Sequence, residues 1–127
     1  MTNIPQHVSL TERIIGAGIE VHRHLGPGLL ESTYEESLCF ELGSRGCAVD
    51  RQAQIPIVYK GVKLAACYRP DLVVEQQVIV EVKAVEKLLG VHQAQLLTYL
   101  KVTGLRVGLL MNFNTQFLRD GIKRVSI

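Results

Sequence analysis

Residues 77–85, QVIVEVKAV, constrain this chain more than any other stretch. The run is short, rich in β-branched residues and almost wholly apolar, so it reads as a buried strand. Yet Glu81 and Lys83 sit at its centre. Side chains alternate faces along a strand, so Glu81 and Lys83 share one face while Val80, Val82 and Ala84 share the other. The apolar run before it, KLAACYRPDLVV at 63–74, carries Asp71. If the hairpin loop is 75–77, Asp71 stands opposite Glu81 on the same face. A loop shorter by one residue would put the two acids on opposite faces.

Two carboxylates facing each other across a ladder repel, and partial burial also strips them of water. A divalent cation offsets both costs. Mg2+ commonly takes one or two carboxylates, with waters and substrate phosphate oxygens completing its shell. Lys83 fits the same scheme, since an ammonium beside the metal polarises an attacking water or stabilises a pentavalent phosphate. Taken alone, an E-x-K on a strand also reads as a solvated face, with Asp71 and Lys83 as an exposed cross-strand pair. Two further features bear on that choice. Glu31, in GPGLLESTYEES, falls in the first turn of a helix, where a negative charge is favourable in any case. His92, Gln95 and Tyr99 lie within about 60° of one another on a helix. They form a polar stripe beside Leu96 and Leu100, which reads either as a cavity wall or as an exposed face.

The pattern predicts an α/β domain with a mixed sheet. A first helix spans about 8–25, with Ser9 as its cap and Ile15, Ile19 and His22 recurring at helical spacing. Gly16 and Gly18 lie inside it, and close packing against another element would explain them. The GPG at 26–28 separates it from a second helix at about 29–44, striped by Leu30, Tyr34, Leu38 and Leu42. Three strands are expected at 53–60, 63–74 and 77–85, with Pro70 marking a bend or an edge in the second. A third helix at about 90–103 ends at Gly104. A buried strand at 105–113 and a short one at 122–127 follow.

Asp71, then Glu81-Val82-Lys83 on adjacent strands after a helix bearing Glu31, resembles the PD-(D/E)XK nuclease superfamily, and Pro70-Asp71 supplies the first two letters of that name. Gly28-Leu29-Leu30-Glu31-Ser32-Thr33-Tyr34 is similar to the GxxExxY signature, which names a family of small bacterial and archaeal proteins in that superfamily. Gln95-x-x-x-Tyr99 resembles the Q-x-x-x-Y motif of its exonuclease branch. The likeness runs over nearly the whole chain. It implies a restriction-endonuclease-like core of helix, three strands, helix and strand over about 29–113, with 8–25 as an added N-terminal helix and 1–127 as one nuclease-like domain. It implies that Asp71, Glu81 and the Val82 carbonyl bind Mg2+ or Mn2+. By the same likeness Lys83 orients or activates water, and Glu31 holds a metal-bound water or a second metal. Gln95 and Tyr99 would line the site and meet the backbone of DNA or RNA, with His92 and His22 as further liners. Lys60, Lys63, Arg69, Lys87 and Lys101 are the cations available to hold phosphates.

Composition narrows the alternatives. A net charge of +2 neither announces nor excludes nucleic acid. Three cysteines without a CxxC pair argue against a disulfide framework and against zinc. No apolar run is long enough to cross a membrane, and the N-terminus lacks the charge and apolar pattern of a secretory signal, so a cytoplasmic setting is expected. The apolar strands near the C-terminus leave room for a homodimer. The readings that result are a Mg2+- or Mn2+-dependent nuclease and, as the alternative, a nuclease-fold module that binds nucleic acid or a protein partner without cutting.

Overall fold

The structure is a computed structural model that describes residues 9–127; Val8, where the first helix was expected to begin, lies outside the described residues. Three helices, α1 (Leu10–Leu25), α2 (Glu31–Ser44) and α3 (Gly90–Thr103), enclose a sheet. Ser9 caps α1, its hydroxyl accepting the Glu12 N–H. The strands are β1 (Val49–Arg51), β2 (Ile55–Tyr59), β3 (Val62–Tyr68), β4 (Leu72–Val74), β5 (Val78–Lys83), β6 (Val107–Asn112) and β7 (Ile122–Ser126). Five of them form one mixed sheet in the order β1-β4-β5-β6-β7, and β2 and β3 pair only with each other.

This corrects the expected strands. Three strands do precede α3 in the main sheet, but they are β1, β4 and β5, and the run at 63–74 is split between two sheets. Pro70 marks the split: it has no N–H to give a ladder, and the chain turns there. Residues 55–66 lack the burial that a central strand needs, and they form a hairpin outside the sheet. β1 was not anticipated, because three residues carry too little pattern.

The sheet separates two apolar clusters. On one face, α1 and α2 pack Ile14, Ala17, Val21, Tyr34, Leu38 and Leu42 onto Leu72, Val80, Val82, Leu109 and Met111. On the other, α3 packs Leu96, Tyr99 and Leu100 onto Val73, Ile79 and Leu110. Of the expected α1 stripe His22 is buried, as are Ile14 and Gly18 beside it, while Ile15 and Ile19 are only half-buried; Ala17 and Val21 complete the buried face. Leu30, expected on the α2 stripe, precedes the helix and is exposed. Tyr34 has a second task, its hydroxyl donating to the Gly26 carbonyl at 2.5 Å and accepting from the Leu29 N–H at 3.1 Å. It thereby pins the turn in which Gly26 and Gly28 adopt positive φ.

The two glycines of α1 differ. A Cβ on Gly18 would collide with the Met111 methyl and stand 3.0 Å from Leu118 Cδ2, whereas one on Gly16 would make an ordinary contact of 3.7 Å with Arg45 Nη1. Close packing therefore explains Gly18 and not Gly16. Gly18→Ala is expected to cost about 1–3 kcal/mol by overpacking. Gly16→Ala is expected to stabilise by about 0.5–1 kcal/mol through helix propensity. Chemical denaturation of the two variants checks the opposite signs.

Candidate active site

Asp71, Glu81 and Lys83, which stood out in the sequence, fall at one end of the sheet, on the α3 face. Along β4, β5 and β6 the apolar Val73, Ile79 and Leu110 cover α3, and the same alternation then delivers Asp71, Glu81, Lys83 and Asn112. The β4–β5 register pairs Leu72 with Val80 and Val74 with Val78, and one step further it sets Asp71 opposite Glu81. Asp71 lies just outside β4 rather than within a strand.

Each acid accepts a backbone N–H from across the ladder end, Glu81 from Asp71 itself and Asp71 from Val82. The Asp71 N–H donates to Glu81 Oε2 at 2.7 Å, and the Val82 N–H donates to Asp71 Oδ2 at 2.8 Å. Each carboxylate thus extends the ladder where Pro70 cannot. Lys83 Nζ stands 3.9 Å from Glu81 Oε1, with both side chains largely shielded from water. Asn112, buried beyond Lys83, fixes the strand exit: its amide accepts from the Val85 N–H at 3.1 Å and donates to the Val85 carbonyl at 2.9 Å.

A third acid arrives from the opposite layer. Glu35 of α2 is buried, and it accepts from Arg51 Nε at 2.8 Å and from Gln52 Nε2 at 2.8 Å. The same Gln52 amide reaches Asp71 Oδ1 at 3.1 Å, and the Gln52 N–H donates to the Asp71 carbonyl at 2.9 Å. Glu31, expected to reach the site, is the first residue of α2 and is exposed; Glu35, one turn deeper on the same side, is the acid that approaches. Glu35, Gln52 and Asn112 were not singled out from the sequence. The available signal for Glu35 was its place beside Tyr34 and three residues before Leu38, on the flank of a buried stripe.

The stripe on α3 divides. Tyr99 is buried, packs edge-on to Tyr68 at 5.9 Å between ring centres, and lies close enough to feel the charges of Glu81 and Asp71. Gln95 is exposed. His92 serves its own helix, Nδ1 accepting the Leu89 N–H at 2.9 Å. Arg69 is exposed, one residue before Pro70. His22, on α1, is buried and engages the Thr115 carbonyl at 2.7 Å.

Burial dominates the electrostatics. It pushes the Asp71 carboxyl up to about 7; Glu35 adds to the rise, and the Val82 N–H and Lys83 oppose it. Burial first, and the Asp71 charge second, push Glu81 up to about 8. Burial, then the charges of Glu81 and Asp71, raise the Tyr99 phenol. Two carboxyls that resist ionisation are thus held partly out of water with one ammonium beside them.

A family model of the PD-(D/E)XK nuclease superfamily matches residues 8–125. The chain belongs to the PD-(D/E)XK nuclease superfamily. Neither a search of curated proteins nor one of solved structures returned a match. The three helices and mixed five-stranded sheet agree with the restriction-endonuclease-like fold. PD-(D/E)XK nucleases generally depend on a divalent metal. Among the described residues, no group of three His, Cys, Asp or Glu side chains is arranged to hold a metal ion. No helix among them is long and apolar enough to cross a membrane.

The raised carboxyls predict a pH dependence. In the unfolded chain these groups titrate near ~4. In the folded chain they still hold protons at higher pH, so their contribution to stability is complete below pH ~4 and is lost as pH rises through about 7–8. The metal-free protein should therefore lose melting temperature between about pH 5 and 8.5. Asp71→Asn should lose less and be the more stable form at pH 8, as thermal denaturation in EDTA would show. Equal slopes for the two proteins would place the titrating groups elsewhere.

Proposed function

We propose that this PD-(D/E)XK protein is a Mg2+- or Mn2+-dependent nuclease that hydrolyses phosphodiester bonds of DNA or RNA, and that 1–127 act as one nuclease-like domain. The observation that carries this reading is the convergence of Asp71, Glu81 and Lys83 at one end of the sheet, with two carboxyls held partly out of water. The GxxExxY signature from Gly28 to Tyr34 supports a place in that narrower family.

The donor set suits a hard cation. Asp71 and Glu81 offer oxygen only, and Mg2+ is commonly held by one or two carboxylates plus waters. The Val82 carbonyl supports the same set. In an antiparallel ladder a residue's N–H and C=O face the same neighbour. The Val82 N–H faces Asp71, so its carbonyl faces the edge where Pro70, opposite in the continued register, has no N–H to donate. A bound cation would supply neutralisation of charge at the scissile phosphate. Lys83 keeps its ammonium beside Glu81, where it orients a water and stabilises negative charge on the phosphate. Glu35 positions: through Gln52 it holds Asp71, and through Arg51 it ties α2 to the end of β1. Tyr99 and Gln95 line the side toward α3, with His92 and Arg69 at its margin. Glu31, exposed at the start of α2, would hold at most a metal-bound water.

One observation favours the non-cutting module: Asp71 Oδ2 and Glu81 Oε2 are already engaged by strand amides, and no three acids stand ready as a metal cluster among the described residues. Cleavage separates the two readings. Labelled DNA or RNA incubated with Mn2+ should be degraded, and EDTA should abolish this. Lys83→Ala should abolish it in a protein that still melts cooperatively. Absence of cleavage and of Mn2+ binding by the wild type would leave the binding module.

The acids on α2 are predicted to differ. Glu35→Gln should lower the cleavage rate about 10–100-fold, the usual cost of losing a residue that orients a metal ligand. Glu31→Gln should stay within a few-fold of wild type. Rates measured side by side at saturating Mn2+ check the contrast, and the reverse order would restore Glu31 to the site.

A further inference from the structure

The hairpin β2–β3 stands apart from the sheet, yet both its ends lie in the site: Gln52 at its start holds Asp71 at its finish. From Arg51 to Pro70 the chain carries no acidic residue, although the whole sequence holds 12. Its cations outside any salt bridge among the described residues are Lys60 and Lys63 near the tip and Arg69 at the base, with Lys60 Nζ 5.5 Å from the centre of the Tyr59 ring. Val58, Tyr59 and Val62 at the tip are 65%, 60% and 60% exposed. A two-stranded ribbon uncovered on its faces is marginal alone, so an exposed apolar tip marks a contact surface.

We infer that this hairpin is an arm that grips the phosphodiester backbone of the nucleic acid beside the cutting site, Lys60 and Lys63 contacting phosphates while the tip lies in a groove. The inference rests on the nuclease reading for the identity of the ligand. Charge chooses the occupant: a basic, acid-free arm complements a polyanion, whereas two such arms from two copies would oppose like charges. Size agrees. The seven residues of β3 reach about 23 Å at ~3.3 Å each, enough to cross a major groove about 12 Å wide. Anchoring of both ends at the carboxylates sets the gripped phosphates about one arm's length, ~23 Å, from the scissile one.

The test is fluorescence anisotropy in EDTA with a labelled DNA duplex and an RNA duplex of the same sequence, at several salt concentrations. Lys60→Glu with Lys63→Glu should weaken binding at least about tenfold. It should also reduce the salt slope by nearly two, about one per lost phosphate contact. Preference for one duplex over the other identifies the substrate. Unchanged affinity and slope in the double variant overturn the arm even if the wild type cuts normally. Loss of binding in the double variant, with a wild type that binds but never cuts, keeps the arm and removes the nuclease. A wild type that binds neither duplex overturns both. If light scattering shows a dimer that Tyr59→Ser with Val62→Ser dissociates while binding is unaltered, the arm is an interface between copies and the inference fails.

Discussion

The pair of hydrogen bonds from the Asp71 N–H to Glu81 and from the Val82 N–H to Asp71 governs this structure. An aspartate after a proline and a glutamate in a buried strand would each be a liability alone. Together they close the end of the β4–β5 ladder: each side chain accepts a backbone N–H on the other strand. Burial of a carboxylate is costly unless hydrogen bonds or charges compensate it. Here two backbone amides, the Gln52 side-chain amide and one ammonium compensate in part, and the remainder appears as carboxyls pushed up to about 7 and 8. A site whose acids hold protons near neutral pH in the absence of a partner is one that a cation can discharge.

The rest of the fold serves that pairing. The parallel β5–β6 pair with α3 as its crossover sets Lys83 beside Asn112, and the Asn112 amide holds the chain as it leaves the strand. Apolar packing on both faces of the sheet makes β5 a rigid support. From the other layer, Glu35, Arg51 and Gln52 connect α2 to Asp71. The hairpin leaves and returns at that same junction, so a largely exposed ribbon is anchored where Glu35, Gln52 and Asp71 meet.

Much of this was legible in the sequence because alternation has a period of two and cannot be slipped without exposing apolar residues. Placing Glu81 and Lys83 on one face, and Asp71 across from Glu81, needed only that rule and the right loop length. The helices were legible from their caps and from Gly104, which adopts the left-handed conformation at the end of α3. What escaped depended on tertiary placement. The run at 63–74 has one composition but belongs to two sheets, and only Pro70 hinted at the division. Glu35 was passed over for Glu31 because the motif spacing drew attention to the first turn, whereas it is the second-turn acid that is buried and bonded to Arg51 and Gln52. His92 fell on a stripe with Tyr99, but its ring caps the helix it belongs to.

The most direct measurement is the anomalous difference density of a crystal soaked in Mn2+ near pH 8. A peak bonded at about 2.1 Å to carboxylate oxygens of both Asp71 and Glu81 is the expected result. A saturated crystal in which those two side chains still bind only the strand amides, with Mn2+ absent or bound elsewhere, would contradict it.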